Sequence, residues 1–230
     1  RGYNACWTGK AYRHPTFTGD TYYRVQALAI ISGIADTDKY PAISKLLRTQ
    51  KHASPYMEKY VMESLFQLGD GEYAMERAHE RYHHMVMDSL HTTLYEGWLA
   101  GANGFGGGTT NHAWSGGPLT VIAQYLMGVS VREPGWKVFS VCPVPVRFKN
   151  ADISIPTIRG MVKTAFQLGE TTDVYSITVP RDTHAYYYLP CQDAAQAKGA
   201  EAYICTDSKV QKEGRLCLLL PAGNYKFKDR

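Results

Sequence analysis

The feature that most constrains the fold is a change in hydrophobic period near residue 130. Before it, apolar residues recur at steps of three and four, the spacing of one face of an α-helix. After Pro134-Gly135, apolar and polar residues alternate, as in a strand with one buried face. Helices and strands are therefore segregated along the chain. This pattern predicts an α+β protein with a helical domain over 1–132 and a β domain over 133–230, and argues against a βαβ fold.

The residue pattern of the first half predicts five helices joined by short turns, which make consecutive helices antiparallel neighbours. We expect them at about 20–35, 39–51, 55–68, 72–89 and 112–127. In the first helix, Val25, Leu28 and Ile31 form an apolar stripe. Ser54-Pro55 is typical of a helix start, because serine caps the free backbone N–H groups and proline has none to leave unpaired.

The second half predicts an all-β module. Alternation predicts strands over 157–168 and 174–180, with further strand-like runs at 186–188, 216–220 and 225–227. We find no group of residues in this module that indicates chemistry of its own.

Composition excludes several classes of function. The net charge is +4, and the 25 Lys and Arg are spread along the chain, so a nucleic-acid surface is not expected. No apolar stretch approaches the length of a membrane span. The five cysteines form no C-x-x-C pair, which argues against a zinc knuckle and a full disulfide framework but leaves one bridge in the C-terminal half open. No cofactor is predicted.

The long segment 91–111 has no sustained period and is rich in glycine. A loop of this length inside a compact domain is usually functional. Glu96 lies in it, between Tyr95 and Trp98. The glycine-rich run 101–108 is interpreted either as a lid over a ligand or as a connector.

Four segments, taken in their order and spacing, resemble one enzyme family. They are 27–35, 54–65, 92–98 with the pattern Thr-Thr-x-x-Glu-x-Trp, and 111–118, which contains Asn-His-Ala-Trp-Ser-Gly-Gly-Pro. Together with the β-module and Pro134-Gly135-Trp136 before it, they are similar to the bacterial α-L-rhamnosidases of glycoside hydrolase family 78. The resemblance covers most of residues 20–190.

The resemblance implies the end of an (α/α)6 helical barrel, with about five of its helices present, followed by an antiparallel β-sandwich. It implies inverting hydrolysis of a terminal α-L-rhamnoside by two carboxyl groups, which stand roughly 6.5–9.5 Å apart in inverting enzymes. The family's general base lies in the Thr-Thr-x-x-Glu-x-Trp segment, which makes Glu96 the candidate here; the alternative is an ordinary surface glutamate. The family's general acid lies upstream, so we expect this chain to be a fragment without it.

Five further residues are candidates for binding substrate. Trp98 and Trp114 can stack on the apolar face of a sugar, or belong to the core. His112 can hydrogen-bond sugar hydroxyls, or cap the turn. Tyr56 and Glu58 stand at the mouth of a helix, where Glu58 can bind a hydroxyl or simply favour the helix dipole.

One motif indicates different chemistry. His79-Glu80-Arg81-Tyr82-His83 has the pattern H-E-x-x-H, which places two histidines on one helix face, where they can bind zinc with the glutamate as base. No third histidine follows at the expected spacing, and His79 is expected in an apolar stripe. We therefore rank a zinc metallopeptidase below the carbohydrate-active alternatives and predict no metal.

Three hypotheses remain: a rhamnosidase or part of one, a non-catalytic carbohydrate-binding fragment, and the zinc metallopeptidase. For the first two, the partner is a carbohydrate. A partial barrel would leave apolar helix faces uncovered, which predicts a homo-oligomer or association with the missing barrel segment. The compartment is not determined by the residues; the resemblance favours a bacterial periplasmic or secreted protein over a cytoplasmic one.

Overall fold

The computed structural model describes residues 2–19, 21–100, 108–191 and 197–229. The chain divides into two compact units, Arg1–Val121 and Ile122–Arg230. The predicted domains, 1–132 and 133–230, stay a proposal. Among the described residues, no helix is long and apolar enough to cross a bilayer.

The first unit is helical. Its helices are α1 (Tyr23–Ile31), α2 (Tyr40–Thr49), α3 (Pro55–Gln67), α4 (Gly71–Val86) and α5 (Gly117–Val121). Helix α3 packs against α1, α4 and α5 and is therefore the centre of this unit. Proline occupies its first position, as predicted, although the Ser54 side chain makes no capping hydrogen bond.

The predicted buried face of α1 is wrong. Val25 and Leu28 are exposed, whereas Tyr23, Gln26 and Ile30 are buried. Apolar residues surround most of this short helix, so their spacing does not single out one face. Gln26 tolerates burial because its side chain makes two hydrogen bonds with the backbone of Tyr12, both 2.8 Å long.

Helix α4 largely follows its predicted stripe. Met75, Tyr82 and Met85 are buried. Val86 and His79, which were assigned to the same stripe, are exposed instead. Val86 is the last residue of the helix, and His79 lies beside the buried row.

The helix predicted over 112–127 is not continuous. The chain forms a 3-10 turn (Ala113–Gly116), then α5, then a π-helical turn (Ile122–Leu126). The sequence Gly116-Gly117-Pro118 explains the break. Proline is tolerated only in the first turn of an α-helix, and glycine destabilises a helix interior.

The second unit contains two sheets. Its strands are β1 (Val129–Val131), β2 (Val138–Val141), β3 (Asn150–Thr157), β4 (Gly160–Gln167), β5 (Asp173–Val179), β6 (His184–Leu189), β7 (Ala197–Lys198), β8 (Leu216–Leu220) and β9 (Gly223–Asp229). They form the sheets β1-β2-β6-β8 and β3-β4-β5-β9-β7. The predicted antiparallel sandwich is confirmed except for one parallel pair, β2 with β6.

The apolar faces of the two sheets meet in the core. Phe166 on β4 and Ile177 on β5 belong to the buried set of alternating residues. The ring of Tyr187 on β6 lies 5.9 Å from that of Phe227 on β9. Side chains from both sheets therefore interdigitate, as a sandwich requires.

Candidate active site

Two loop segments pair through their backbones and create the site. The Glu96 N–H donates to the Thr109 carbonyl over 2.9 Å, and the His112 N–H donates to the Leu94 carbonyl over the same distance. The Thr93 hydroxyl adds a hydrogen bond to the carbonyl of Thr110. This short ladder brings segment 93–96 beside segment 109–112, so Glu96 and His112 become neighbours.

The Glu96 carboxylate is held in a fixed orientation. Only 7% of the residue is exposed. Its Oε2 accepts a 2.7 Å hydrogen bond from the Thr109 hydroxyl, and the His112 Nδ1 lies 3.7 Å from the same oxygen. His112 Nδ1 also lies 3.1 Å from the Thr109 Oγ1. Because that hydroxyl gives its proton to Glu96, Nδ1 is the donor in this second contact.

A row of aromatic rings extends from His112. Its imidazole lies 4.2 Å from the Trp114 ring, at 30°. Trp114 in turn lies 5.1 Å from Tyr56, and Tyr56 lies 5.7 Å from Tyr60. Trp114 and Tyr56 are 36% and 38% exposed, so both rings in the row are partly accessible to solvent. The structure therefore joins three of the predicted binding residues to Glu96.

Trp98 is not part of this row. Its indole N–H donates to the Ala53 carbonyl over 2.6 Å. The Arg81 guanidinium lies 3.9 Å from the centre of its ring, and Tyr82 meets it edge-on. Trp98 thus ties the loop to α4 and to Ala53.

Glu58 is completely buried and forms ion pairs between helices α3 and α4. Arg77 and Arg81, both on α4, donate to its two carboxylate oxygens. Arg77 also donates to the Leu47 carbonyl over 2.8 Å. A glutamate occupied in this way is an internal counter-ion. The sequence does not reveal these ion pairs, because both arginines lie on the next helix.

A second polar cluster supports the residue before Glu96. The Tyr95 hydroxyl donates to Asp88, which also accepts hydrogen bonds from the Leu90 N–H at 2.8 Å and the His91 ring at 3.1 Å. These hydrogen bonds, led by that from Tyr95, hold the pKa of Asp88 well below its ordinary value. The same contact raises the pKa of Tyr95 to about 12. Ser115 donates to the Tyr95 carbonyl over 2.6 Å.

The H-E-x-x-H motif lies on the surface of α4. The rings of His79 and His83 are 5.1 Å apart. Glu80 is engaged by Lys51, whose hydrogen bonds lower the pKa of the glutamate. Within the described ranges, no three His, Cys, Asp or Glu side chains are grouped to hold a metal ion. Among the residues that the structure describes, no third ligand of the kind that zinc catalysis needs accompanies the motif.

The predicted lid at 101–108 falls mostly on residues 101–107, which lie outside the described residues.

Residues 128–203 match the family model of the bacterial α-L-rhamnosidase C-terminal domain. A search of curated protein sequences finds no match. The match covers most of the β unit and none of the helical unit.

Three solved structures share the fold of most of the chain. The α-L-rhamnosidase of Streptomyces avermitilis, complexed with L-rhamnose, has a TM-score of 0.73 at 16% identity, covering 90% of this chain and 21% of that one. The enzyme from Dictyoglumus thermophilum has a TM-score of 0.70 at 22% identity, and the match covers 91% of this chain and 25% of that one. The native enzyme from Aspergillus terreus has a TM-score of 0.68 at 20% identity, and the match covers 90% of this chain and 24% of that one.

The chain thus spans about a quarter or less of the length of these enzymes. The similarity extends over both units, whereas the family model reaches the β unit alone. The resemblance drawn from the sequence motifs is confirmed: the chain resembles the C-terminal part of the α-L-rhamnosidases.

Proposed function

We propose that the chain is the C-terminal part of an inverting glycoside hydrolase that removes terminal α-L-rhamnose, with Glu96 as the general base. One observation carries the proposal: Glu96 is fixed by Thr109 and His112 and lies beside the exposed aromatic row of Trp114 and Tyr56. Inverting hydrolysis needs such an oriented carboxylate as one of its two carboxyl groups, and partly exposed aromatic rings beside it can pack on the sugar.

A general base must be oriented and must keep one oxygen free for water. In Glu96, Oε2 is occupied by the Thr109 hydroxyl. Among the described residues, none donates a hydrogen bond to Oε1. This oxygen is therefore the one that would take the proton of the attacking water.

His112 and Trp114 are suited to binding the sugar. Because Nδ1 of His112 donates to Thr109, its Nε2 points elsewhere and is available to a sugar hydroxyl. The ring faces of Trp114 and Tyr56 suit the apolar face and methyl group of a deoxyhexose. Neither Glu58 nor Trp98 has a part in this proposal, since both are engaged by α4.

The general acid would come from outside this chain. The helical unit would be the end of an (α/α)6 barrel, and the upstream barrel segment would place the acid roughly 6.5–9.5 Å from Glu96. The same geometry supports a second candidate: a fragment that binds the sugar without hydrolysing it, because the His112–Trp114–Tyr56 row needs no second carboxylate.

The test uses an aryl α-L-rhamnoside and the longer protein that contains this chain. We expect Glu96→Gln to lower kcat by about 10²–10⁴-fold, the usual contribution of a general base. The matched control, Glu72→Gln on the exposed surface of α4, should leave turnover unchanged. The first sugar released, observed by proton NMR, should be the β anomer.

Sugar binding by the isolated chain tests the site that both candidates share, and turnover in the longer protein separates the two candidates. Titration with L-rhamnose, followed by NMR shifts, should show binding that is lost in Trp114→Ala. Full turnover by Glu96→Gln would refute the assignment of the base. Sugar binding with no turnover in the longer protein would instead support the non-catalytic fragment.

A further inference from the structure

Two cysteines face each other in the β unit, where a short segment around Ile204 pairs with strand β8. Ile204 forms an antiparallel bridge with Leu218, and the Cys205 N–H donates to the Cys217 carbonyl over 2.9 Å. Cys205 and Cys217 are therefore directly opposite. In an antiparallel pair, opposite residues project their side chains to the same face of the sheet.

The two thiols interact directly. Both are unbridged in the structure; Cys217 is buried, whereas Cys205 is partly exposed. Burial, followed by the charge and hydrogen bond of Cys205, raises the pKa of the Cys217 thiol to about 12. The side-chain hydrogen bond between the two thiols places their sulfurs next to each other.

The backbone geometry already fits a disulfide. Opposite residues of antiparallel strands have Cα atoms about 4.5–5.5 Å apart. Disulfides span Cα separations of about 4.4–6.8 Å, so a bridge requires side-chain rotation and no shift of either strand.

The strand order excludes Cys142 as the disulfide partner of Cys217. Cys142 follows β2, and β6 separates β2 from β8, which carries Cys217. Two strand spacings amount to about 9.6 Å, beyond the reach of a disulfide.

We propose that Cys205 and Cys217 form a reversible cross-strand disulfide when the protein meets a disulfide oxidant such as oxidised glutathione. This assigns the one bridge that the cysteine count left open in the C-terminal half. It is independent of the proposed hydrolase activity.

The reaction is thiol–disulfide exchange. The partly exposed Cys205 loses its proton and attacks one sulfur of the oxidant, which releases the first thiol. Cys217 then loses its proton and attacks Cys205 Sγ in the mixed disulfide, releasing the second thiol. The two cysteine thiols are oxidised to one disulfide, and the oxidant is reduced to two thiols.

The bridge would close the loop 206–215 onto β8. That loop is now held by weaker contacts: Tyr188 donates to the Val210 carbonyl, and Gln211 donates to the Cys205 carbonyl, each over 2.8 Å. A covalent link there restricts the unfolded chain more than the folded one and so stabilises the β unit.

Peptide mapping tests the assignment directly. Lys209, Lys212 and Arg215 lie between the two cysteines, so trypsin separates them into peptides 199–209 and 216–226. After oxidation, a non-reducing digest should contain these peptides joined, with the loss of two hydrogens, and dithiothreitol should separate them. Titratable thiols in denaturant should fall from five to three.

Variants and melting provide the controls. Cys142→Ser should still form the link, whereas Cys205→Ser should not. Oxidation should raise the melting temperature of the chain by about 5 °C, with no rise in Cys205→Ser. Five thiols remaining after oxidation, a link through another cysteine, or a glutathione adduct that persists on Cys205 would each overturn the proposal.

Discussion

The hydroxyl of Thr109 connects the two polar groups of the proposed site. It donates to Glu96 Oε2 and accepts from His112 Nδ1, so both side chains depend on it for their orientation. Valine has the same shape as threonine but cannot make either hydrogen bond. The residue therefore offers a way to disturb the orientation of the base without removing the base.

We predict that Thr109→Val in the longer protein lowers kcat/KM for an aryl α-L-rhamnoside by about tenfold, the cost of one hydrogen bond to a carboxylate. The matched control is Thr110→Val, since only the backbone carbonyl of Thr110 takes part in the loop ladder. Equal losses in the two variants would show that the loop, and not the hydroxyl, is responsible.

The sequence motifs predict Glu96 as the candidate base but do not show its surroundings. His112, Trp114 and Tyr56 meet it because segments 93–96 and 109–112 pair, and such pairing across a loop leaves no period in the sequence. Thr109 was missed for this reason. Glu58 was misjudged because burial of a charge depends on partners that lie far away along the chain.

Asp88 and Tyr95 make the stability of the loop depend on pH. The pKa of Asp88 is lower in the folded chain, so its contribution is present above about pH 4 and is lost as pH falls further. The pKa of Tyr95 is raised to about 12, so its contribution is present below about pH 10 and is lost as pH rises through 12.

We predict that Asp88→Asn reduces the fall in melting temperature between pH 7 and pH 3, because the variant has already lost the hydrogen-bonded carboxylate. Thermal unfolding followed by circular dichroism measures the difference. Asp38→Asn, at a carboxylate that is 77% exposed, should behave like the parent chain. An identical fall in all three proteins would contradict the prediction.

At the scale of elements, helices α3 and α4 are joined by a buried ion pair. Glu58 on α3 contacts Arg77 and Arg81 on α4, and both Glu58 and Arg77 are fully buried. Removing Arg77 costs more than its pair with Glu58 contributes, because Oε1 of the buried carboxylate is then left without a donor among the described residues, while Arg81 contacts only Oε2.

We predict that Arg77→Met lowers the free energy of unfolding by about 3–5 kcal/mol, measured by urea denaturation. Arg48→Met removes the more exposed pair with Asp70 and should cost less than about 1 kcal/mol. The double variant Glu58→Gln/Arg77→Met should be more stable than Arg77→Met alone. Similar costs for the two single variants would refute a buried charge effect.

Hydrophobic period predicted long elements well and short ones poorly. Helices α2, α3 and α4 lie close to their expected ranges, because each repeats its pattern over several turns. The short strands β1 and β2 were missed, since a strand of three or four residues shows too few alternations. Strand β3 was missed as well, although its burial alternates regularly.

At the scale of the whole molecule, the helical unit leaves an apolar surface uncovered. Phe17, Tyr22, Val25 and Leu28 are between 37% and 53% exposed. All but Leu28 line a groove of 670 Å³. In the longer protein, the upstream barrel segment is the proposed cover for this surface.

The isolated chain has no such cover, so we predict that two copies associate through this surface at micromolar concentration. Val25→Lys together with Leu28→Lys should shift the chain to monomer in sedimentation velocity, because a charge on each copy cannot be buried unpaired. Leu90→Lys is the matched control: Leu90 is 86% exposed but lies away from α1 in the chain, so its charge should leave the association unchanged. A parent chain that remains monomeric over the same concentrations would show that exposure of α1 does not drive association, and would weaken the case that a further helical segment covers it.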